Sequence, residues 1–185
     1  MRLGIDLGGT KIACGAVDNN GTILFRITVK TRANEGTQAV VADISESVMQ
    51  LCKQAQLDIG DFDAVGAGIP GKLDCENNIV ISAANLGLRN TPLRQMLSNA
   101  LGREVVMVND AQAALIGEQK FGAAKGCSNV VMLTLGTGVG GAVIAGGRLL
   151  EGSYASACEL GHTVIKMGGR ACTCGRKGCL EAYCS

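Results

Sequence analysis

The sequence predicts an α/β protein made of two related halves, and three observations predict it. Short strand patterns alternate with helices of clear 3.6-residue period, and a strand–glycine turn–strand unit occurs twice. Glycine, 27 of 185 residues, concentrates at 8–9, 136–147 and 168–178, where backbone must turn sharply or approach something closely. The length suits one ordinary domain or two small ones with a sizeable core.

The elements follow in order. Leu3 to Leu7 and Ile12 to Val17 read as strands joined by the Gly8-Gly9 turn. Asp18-Asn19-Asn20-Gly21 is a hairpin signal leading to a third strand, Thr22 to Val29. Thr37 is placed to cap a helix whose apolar stripe is Val40, Val41, Ile44, Val48, Leu51, Cys52 and Ala55. Ala64 to Ile69 is a short buried strand stopped by Pro70-Gly71. Thr91-Pro92 opens a second helix in the order cap, then N1 proline, with Leu93, Met96, Leu97, Ala100 and Leu101 inward and Gly102 ending it. Val105 to Val108 is a strand, and Asp110 begins a helix running to Phe121-Gly122. Then the opening pattern returns: strand Val130 to Leu135, glycine turn Gly136 to Gly141, strand Ala142 to Ala145, turn Gly146-Gly147, strand Arg148 to Leu150. Leu7 to Val17 (LGGTKIACGAV) and Leu135 to Ala145 (LGTGVGGAVIA) read as copies of one unit, with the halves meeting near 109 to 127. The expected domains are 1–115 and 116–185.

Composition removes several classes. Apolar residues make up 47%, proline is scarce and the net charge is +1, so the chain is globular and offers no electrostatic reason to bind nucleic acid or an anionic membrane. With no charged and apolar leader and no apolar run near the ~18 residues of a membrane span, the expected location is cytoplasmic. Of nine cysteines, Cys14, Cys52, Cys75, Cys127, Cys158 and Cys184 are scattered singly and read as reduced thiols, mostly buried.

Asp6-Leu7-Gly8-Gly9-Thr10-Lys11 ends a strand with a carboxylate, then offers bare N–H groups, a hydroxyl and an ammonium. Amides and lysine suit phosphate oxygens, and the aspartate suits Mg²⁺ or its waters. Alone, the segment is equally a glycine hairpin whose aspartate satisfies its own turn. The second hairpin carries G-x-G-x-x-G at Gly136, Gly138 and Gly141, but a strand follows it, which removes the dinucleotide reading, and neither hairpin is a P-loop. Taken together they predict a phosphate clamp across an interdomain cleft.

His162, the one histidine, precedes Cys172, Cys174 and Cys179 as H-x9-C-x-C-x4-C, with Gly168, Gly169, Gly175 and Gly178 between. One nitrogen and three sulfurs fill a tetrahedral shell, so a structural Zn²⁺ with no open position is expected. Disulfides there would need an oxidising compartment and would leave one thiol over.

These motifs together resemble the ROK family (repressors, open reading frames and sugar kinases). They stand as DLGGTK at 6–11, GIPG at 68–71, NLGL at 85–88, VNDA at 108–111, GTGVGGA at 136–142, ELGH at 159–162 and CTCGRKGCLEAY at 172–183. The resemblance implies the actin-like ATPase (ribonuclease H-like) fold: two duplicated α/β halves with mixed sheets, the second incomplete because family members continue for roughly a hundred residues more. It implies a hexose kinase using ATP and Mg²⁺, glucose being the favoured sugar, with a structural zinc and a homo-oligomer, a dimer, in the complete protein. By the same resemblance Asp110 is the catalytic base, and Gly68, Asn85, Asn109, Glu159, His162 and Glu181 contact the sugar. Gly8, Gly9, Thr10, Lys11, Thr137 and Gly138 face the phosphates, with Asp6 near Mg²⁺.

The physics of those roles is consistent. A sugar hydroxyl is a poor nucleophile, so a carboxylate within reach takes its proton as the phosphoryl group arrives. Read alone, Asp110 is also a helix N-cap and Glu159 and Glu181 are solvated loop charges. Other hexoses and N-acetylmannosamine are alternative substrates, and an inactive sugar- and zinc-binding fragment is an alternative to an enzyme. A sugar-sensing repressor is disfavoured, since the chain leaves no room for a helix-turn-helix before Leu3. Ala155 and Cys158 stand where the family commonly has glycine, Lys72 where proline is frequent and Leu88 where tryptophan is often found, which bears on substrate more than on class.

Overall fold

Strict alternation of exposed and buried residues along Arg2–Leu7 makes the first strand, β1, with Leu3, Ile5 and Leu7 turned into the core. A computed structural model describes residues 1–74, 76–152 and 157–185. They fall into two units, Met1–Asp110 and Ala111–Ser185.

In the first unit β1 pairs antiparallel with β2 (Lys11–Val17), and β2 with β3 (Ile23–Lys30). On the other side β1 runs parallel to β4 (Ala64–Ile69), and β4 to a later strand, Val105–Asn109. The result is a mixed five-stranded sheet. Helix α1 (Thr37–Ala55) buries Val40, Val41, Ile44, Val48, Leu51 and Cys52 in the same core as the inward side chains of β1, the 3.6-residue stripe read from the sequence. Burying each such aliphatic side chain stabilises by about 1.5–3 kcal/mol. On the opposite face Gly15, Gly4 and Gly66 lie in register across β2, β1 and β4.

Between Lys72 and Thr91 the chain builds a small antiparallel sheet that the sequence did not announce: β5 (Lys72–Asp74), β6 (Ile79–Ala83) and β7 (Leu88–Thr91). Helix α2 (Leu93–Leu101) follows, and Gly102, at φ 63°, ends it. The strand Val105–Asn109, β8, then runs directly into α3 (Asp110–Phe121).

Both expected threonine N-caps fail. Thr37 is already helical, so Gly36 is the N-cap and no side chain caps α1. Thr91 is the last residue of β7, its hydroxyl donates to the Arg89 carbonyl, and Pro92 occupies the α2 N-cap. Of the expected inward residues of α2, Leu93, Leu97 and Leu101 are buried, Met96 is partly so and Ala100 is exposed.

The start of α1 is held in another way. Asp43, only 6% exposed, accepts from the Arg32 backbone N–H at 2.7 Å and from its Nε at 2.7 Å. The neighbouring Thr31 donates its hydroxyl to the Gly8 carbonyl at 2.8 Å and its N–H to the Thr10 carbonyl at 3.1 Å. Helix α1 therefore braces the first glycine hairpin through two consecutive residues. Asp43→Ala is expected to lower unfolding stability by about 2 kcal/mol, because it removes a buried charged acceptor of several hydrogen bonds. Urea denaturation checks this; an unchanged midpoint would contradict the brace.

In the second unit β9 (Val130–Leu135), β10 (Val139–Ala145) and β11 (Arg148–Leu149) form an antiparallel sheet in the order β11-β10-β9. Its second strand starts at Val139, so the glycine turn is shorter than the expected 136–141. Ala111, Leu115, Ala142 and Ile144 form the small core, while Val131, Leu133 and Leu135 on β9 and Leu150 stay exposed. A single turn, Leu160–His162, and the short helix α4 (Glu181–Cys184) complete the unit.

The scattered thiols are less buried than expected. Cys14 and Cys52 are buried, Cys158 is half-buried, and Cys127 and Cys184 are exposed, because the last two lie past the end of α3 and in the outer short helix. Burial, with the Asp6 charge adding to it, pushes the Cys14 thiol up to about 12, which makes it inert. Cys75 lies outside the described residues. Among the described residues no helix is long and apolar enough to cross a membrane.

Candidate functional site

In the first unit the residues singled out by sequence gather at one end of the parallel strands. Gly8 N–H donates to the Lys11 carbonyl at 2.9 Å and closes the hairpin, leaving Thr10 and Lys11 exposed. Asp6, exposed near the end of β1, sits in register with Gly68 of β4. One strand further, Ile69 is paired with Asn109, and Asp110 opens α3 immediately after it. Asn109 Nδ2 donates to the Gly71 carbonyl at 3.2 Å. Asn85, in the turn Ala84–Leu86, lies against the hairpin: a Cβ on Gly9 would come within 2.9 Å of its Cβ and carbonyl oxygen. The carboxyl ends of parallel strands in open α/β sheets are where ligands bind. A carboxylate, two carboxamides and a glycine hairpin thus share one rim with Asp110.

In the second unit two sites join. The ligand atoms of His162, Cys172, Cys174 and Cys179 all lie within 4.8 Å of one another. Cys174 Sγ and Cys179 Sγ are 3.7 Å apart, and Cys172 Sγ is 3.6 Å from His162 Nδ1. A tetrahedron with metal–sulfur bonds near 2.3 Å has edges of roughly 3.7 Å, so the four side chains fit a zinc ion. Cys179 is buried, Cys172 half-buried and Cys174 exposed. Hydrogen bonds from the Arg176 backbone, then its side chain, hold the Cys174 thiol down at about 6, and desolvation raises that of Cys179. Arg176 also donates to the His162 carbonyl at 3.2 Å, and the Val164–Cys179 and Ala171–Lys177 bridges close the loop.

Beside this cluster is the second glycine hairpin, in which Gly136 N–H donates to the Gly138 carbonyl at 3.0 Å. Glu181, two residues past Cys179, reaches back to it: Oε2 accepts from Val139 N–H at 3.0 Å. Its other oxygen, Oε1, accepts from the Thr173 hydroxyl at 3.0 Å. Desolvation opposes the shift, but the Val139 and Thr173 hydrogen bonds and the nearby His162 hold the Glu181 carboxyl below its usual range. Thr173 carried no signal in the sequence beyond lying between two cysteines.

Glu159 is exposed and caps the turn Leu160–His162, its carbonyl accepting from His162 N–H at 3.0 Å. Just before it Cys158 has φ 70°, the left-handed region that favours glycine, at a strain of about 1 kcal/mol for a residue with a side chain. The departure from glycine at Cys158 therefore falls where a glycine would relieve strain. Ala155 lies outside the described residues.

With fold and sites in view, the sequence matches the ROK family over residues 2–185, and the chain belongs to that family. It is 40% identical to a glucokinase of Thermotoga maritima over 184 residues, 99% of this chain and 56% of that protein. It is similar to the crystal structure of a ROK family glucokinase from Streptomyces griseus in complex with glucose and AMPPNP: TM-score 0.88, 38% identity, 100% of this chain and 57% of that one. A xylose repressor of Caldicellulosiruptor bescii is 30% identical over 99% of this chain and 46% of its own length. The chain thus spans about half the length of the relatives it matches. Its fold is the actin-like ATPase fold, α/β with a mixed sheet.

Proposed function

We propose that the chain carries the sugar-binding and phosphate-binding machinery of an ATP-dependent hexose kinase, with glucose phosphorylated on its 6-hydroxyl. The observation that carries the reading is the rim at the ends of β1, β4 and β8, where Asp6, Gly68, Asn85, Asn109 and Asp110 collect beside a glycine hairpin. Likeness to glucokinases supports it.

In this reading Asp110 accepts the proton of the attacking hydroxyl, the group a positioned carboxylate serves best. Asn85, Asn109, Glu159, His162 and Glu181, with the backbone of Gly68, hold the other hydroxyls, because several must be fixed to orient one. Gly8, Gly9, Thr10 and Lys11 of one hairpin, and Thr137 and Gly138 of the other, take phosphate oxygens through N–H groups, hydroxyls and an ammonium. Asp6 would hold Mg²⁺ or its waters, and Mg²⁺ neutralises charge developing on the phosphates. His162, Cys172, Cys174 and Cys179 would hold a structural Zn²⁺ that orders the loop bearing His162 and Glu181.

A panel of hexoses and N-acetylmannosamine, offered with ATP and Mg²⁺ to the full-length protein, tests the reading. Glucose is expected to give the highest kcat/KM, with the product phosphorylated on its 6-hydroxyl. Absence of turnover on every sugar would sink it.

A further inference from the structure

We propose that Thr173 and Glu181 form a strut that fixes the second glycine hairpin to the metal-binding loop, so that the order of Gly136–Val139 depends on that loop being folded around its ion. The inference rests on the hairpin's proposed role in holding nucleotide phosphates. It deepens that role by naming what positions the hairpin.

Val139 is gripped from both ends of the metal loop. Behind the first ligand, Gly161 packs so closely on Val139 that a Cβ on the glycine would collide with the Val139 carbonyl oxygen. Behind the last ligand, Glu181 Oε2 accepts from Val139 N–H, and a Cβ on Gly138 would come within 2.6 Å of the same oxygen. The residues that carry His162 and follow Cys179 therefore meet at the first residue of β10, directly after the turn that presents Thr137 and Gly138.

Thr173 completes the strut. It is exposed and contributes no ligand atom to the cluster, yet its hydroxyl donates to Glu181 Oε1 at 3.0 Å from between Cys172 and Cys174. The Cys172 thiol also lies 3.7 Å from Oε1. A thiol that ligates a metal gives up its proton, so Thr173 is the side-chain donor that remains on Oε1 in the loaded loop. A carboxylate held at both oxygens keeps one orientation, which a carboxylate held at one does not. Thr173 is a positioning residue: it acts on the hairpin through Glu181 and touches no reacting atom.

Hydrogen–deuterium exchange of the full-length protein, zinc-loaded and chelator-stripped, tests this directly at the amides of Gly136–Val139. Zinc removal and Thr173→Val are each expected to speed exchange there about tenfold, the worth of one charge-assisted hydrogen bond. Thr173→Ser, which restores the hydroxyl, should return the parental rate, and zinc content of both variants should stay at one per chain. Equal exchange in the parent and Thr173→Val overturns the strut, as does equal exchange with and without zinc. AMPPNP affinity is read alongside. Accelerated exchange with no AMPPNP bound by either protein upholds the strut and removes the phosphate role of the hairpin. Unmoved exchange with AMPPNP bound normally removes the strut alone.

Discussion

Asp110→Asn is expected to lower kcat for hexose phosphorylation by about 10²- to 10⁴-fold, the range general base catalysis supplies. The carboxamide keeps the shape of the side chain and removes its ability to accept a proton. It should leave the fold intact, because Asp110 is the first helical residue of α3 and asparagine and aspartate have similar helix propensity. KM for the sugar should change little by comparison, since the carboxamide can still hydrogen-bond a hydroxyl. Steady-state kinetics of ADP release on the full-length protein give the result. A variant retaining more than about a tenth of parental kcat would show that the proton is taken elsewhere.

Cys179→Ala is expected to abolish stoichiometric zinc binding and to loosen the chain from His162 to its last residue. Cys179 is fully buried, and its sulfur is 3.7 Å from that of Cys174. A structural zinc supplies about 10–16 kcal/mol of apparent binding energy in small zinc domains, so losing a central ligand removes most of what folds such a loop. Exposed Cys184, five residues on, is outside the cluster and is the control: Cys184→Ala should keep one zinc per chain. Elemental analysis and protease sensitivity of residues 162–185 separate the two variants. Full zinc content in Cys179→Ala would mean that the cluster is not the metal site.

Much of this architecture could be read from residue patterns because its signals are local. The two glycine hairpins, the stripe of α1 and the H-x9-C-x-C-x4-C spacing each depend on residues near one another in the chain. The small sheet could not be read in this way, because β5 has three residues and β7 is Leu-Arg-Asn-Thr, with no alternation of its own. Both threonine caps were misjudged for a related reason. Thr37 and Thr91 have the right chemistry, but Arg32–Asp43 pairing and the β6–β7 ladder decide where those helices begin. The candidate base was visible only through its motif, and its place directly after Asn109, at the end of the strand paired with β4, depends on parallel strand pairing. The Glu181–Val139 hydrogen bond, which joins residues 42 positions apart, likewise had no local signal.

The row of glycines across β2, β1 and β4 has a consequence for how firmly the first sheet is made. Among the described residues a Cβ added at Gly66 would meet no atom within 4 Å, and one at Gly4 would meet only the Gly15 carbonyl at 4.0 Å. Neither position has the positive φ that would demand glycine. Glycine inside a strand weakens it through its greater freedom in the unfolded chain. The sheet that presents Asp6 and Gly68 is therefore less stable than alanine at Gly4 and Gly66 would make it, and among the described residues both positions have space for the methyl group.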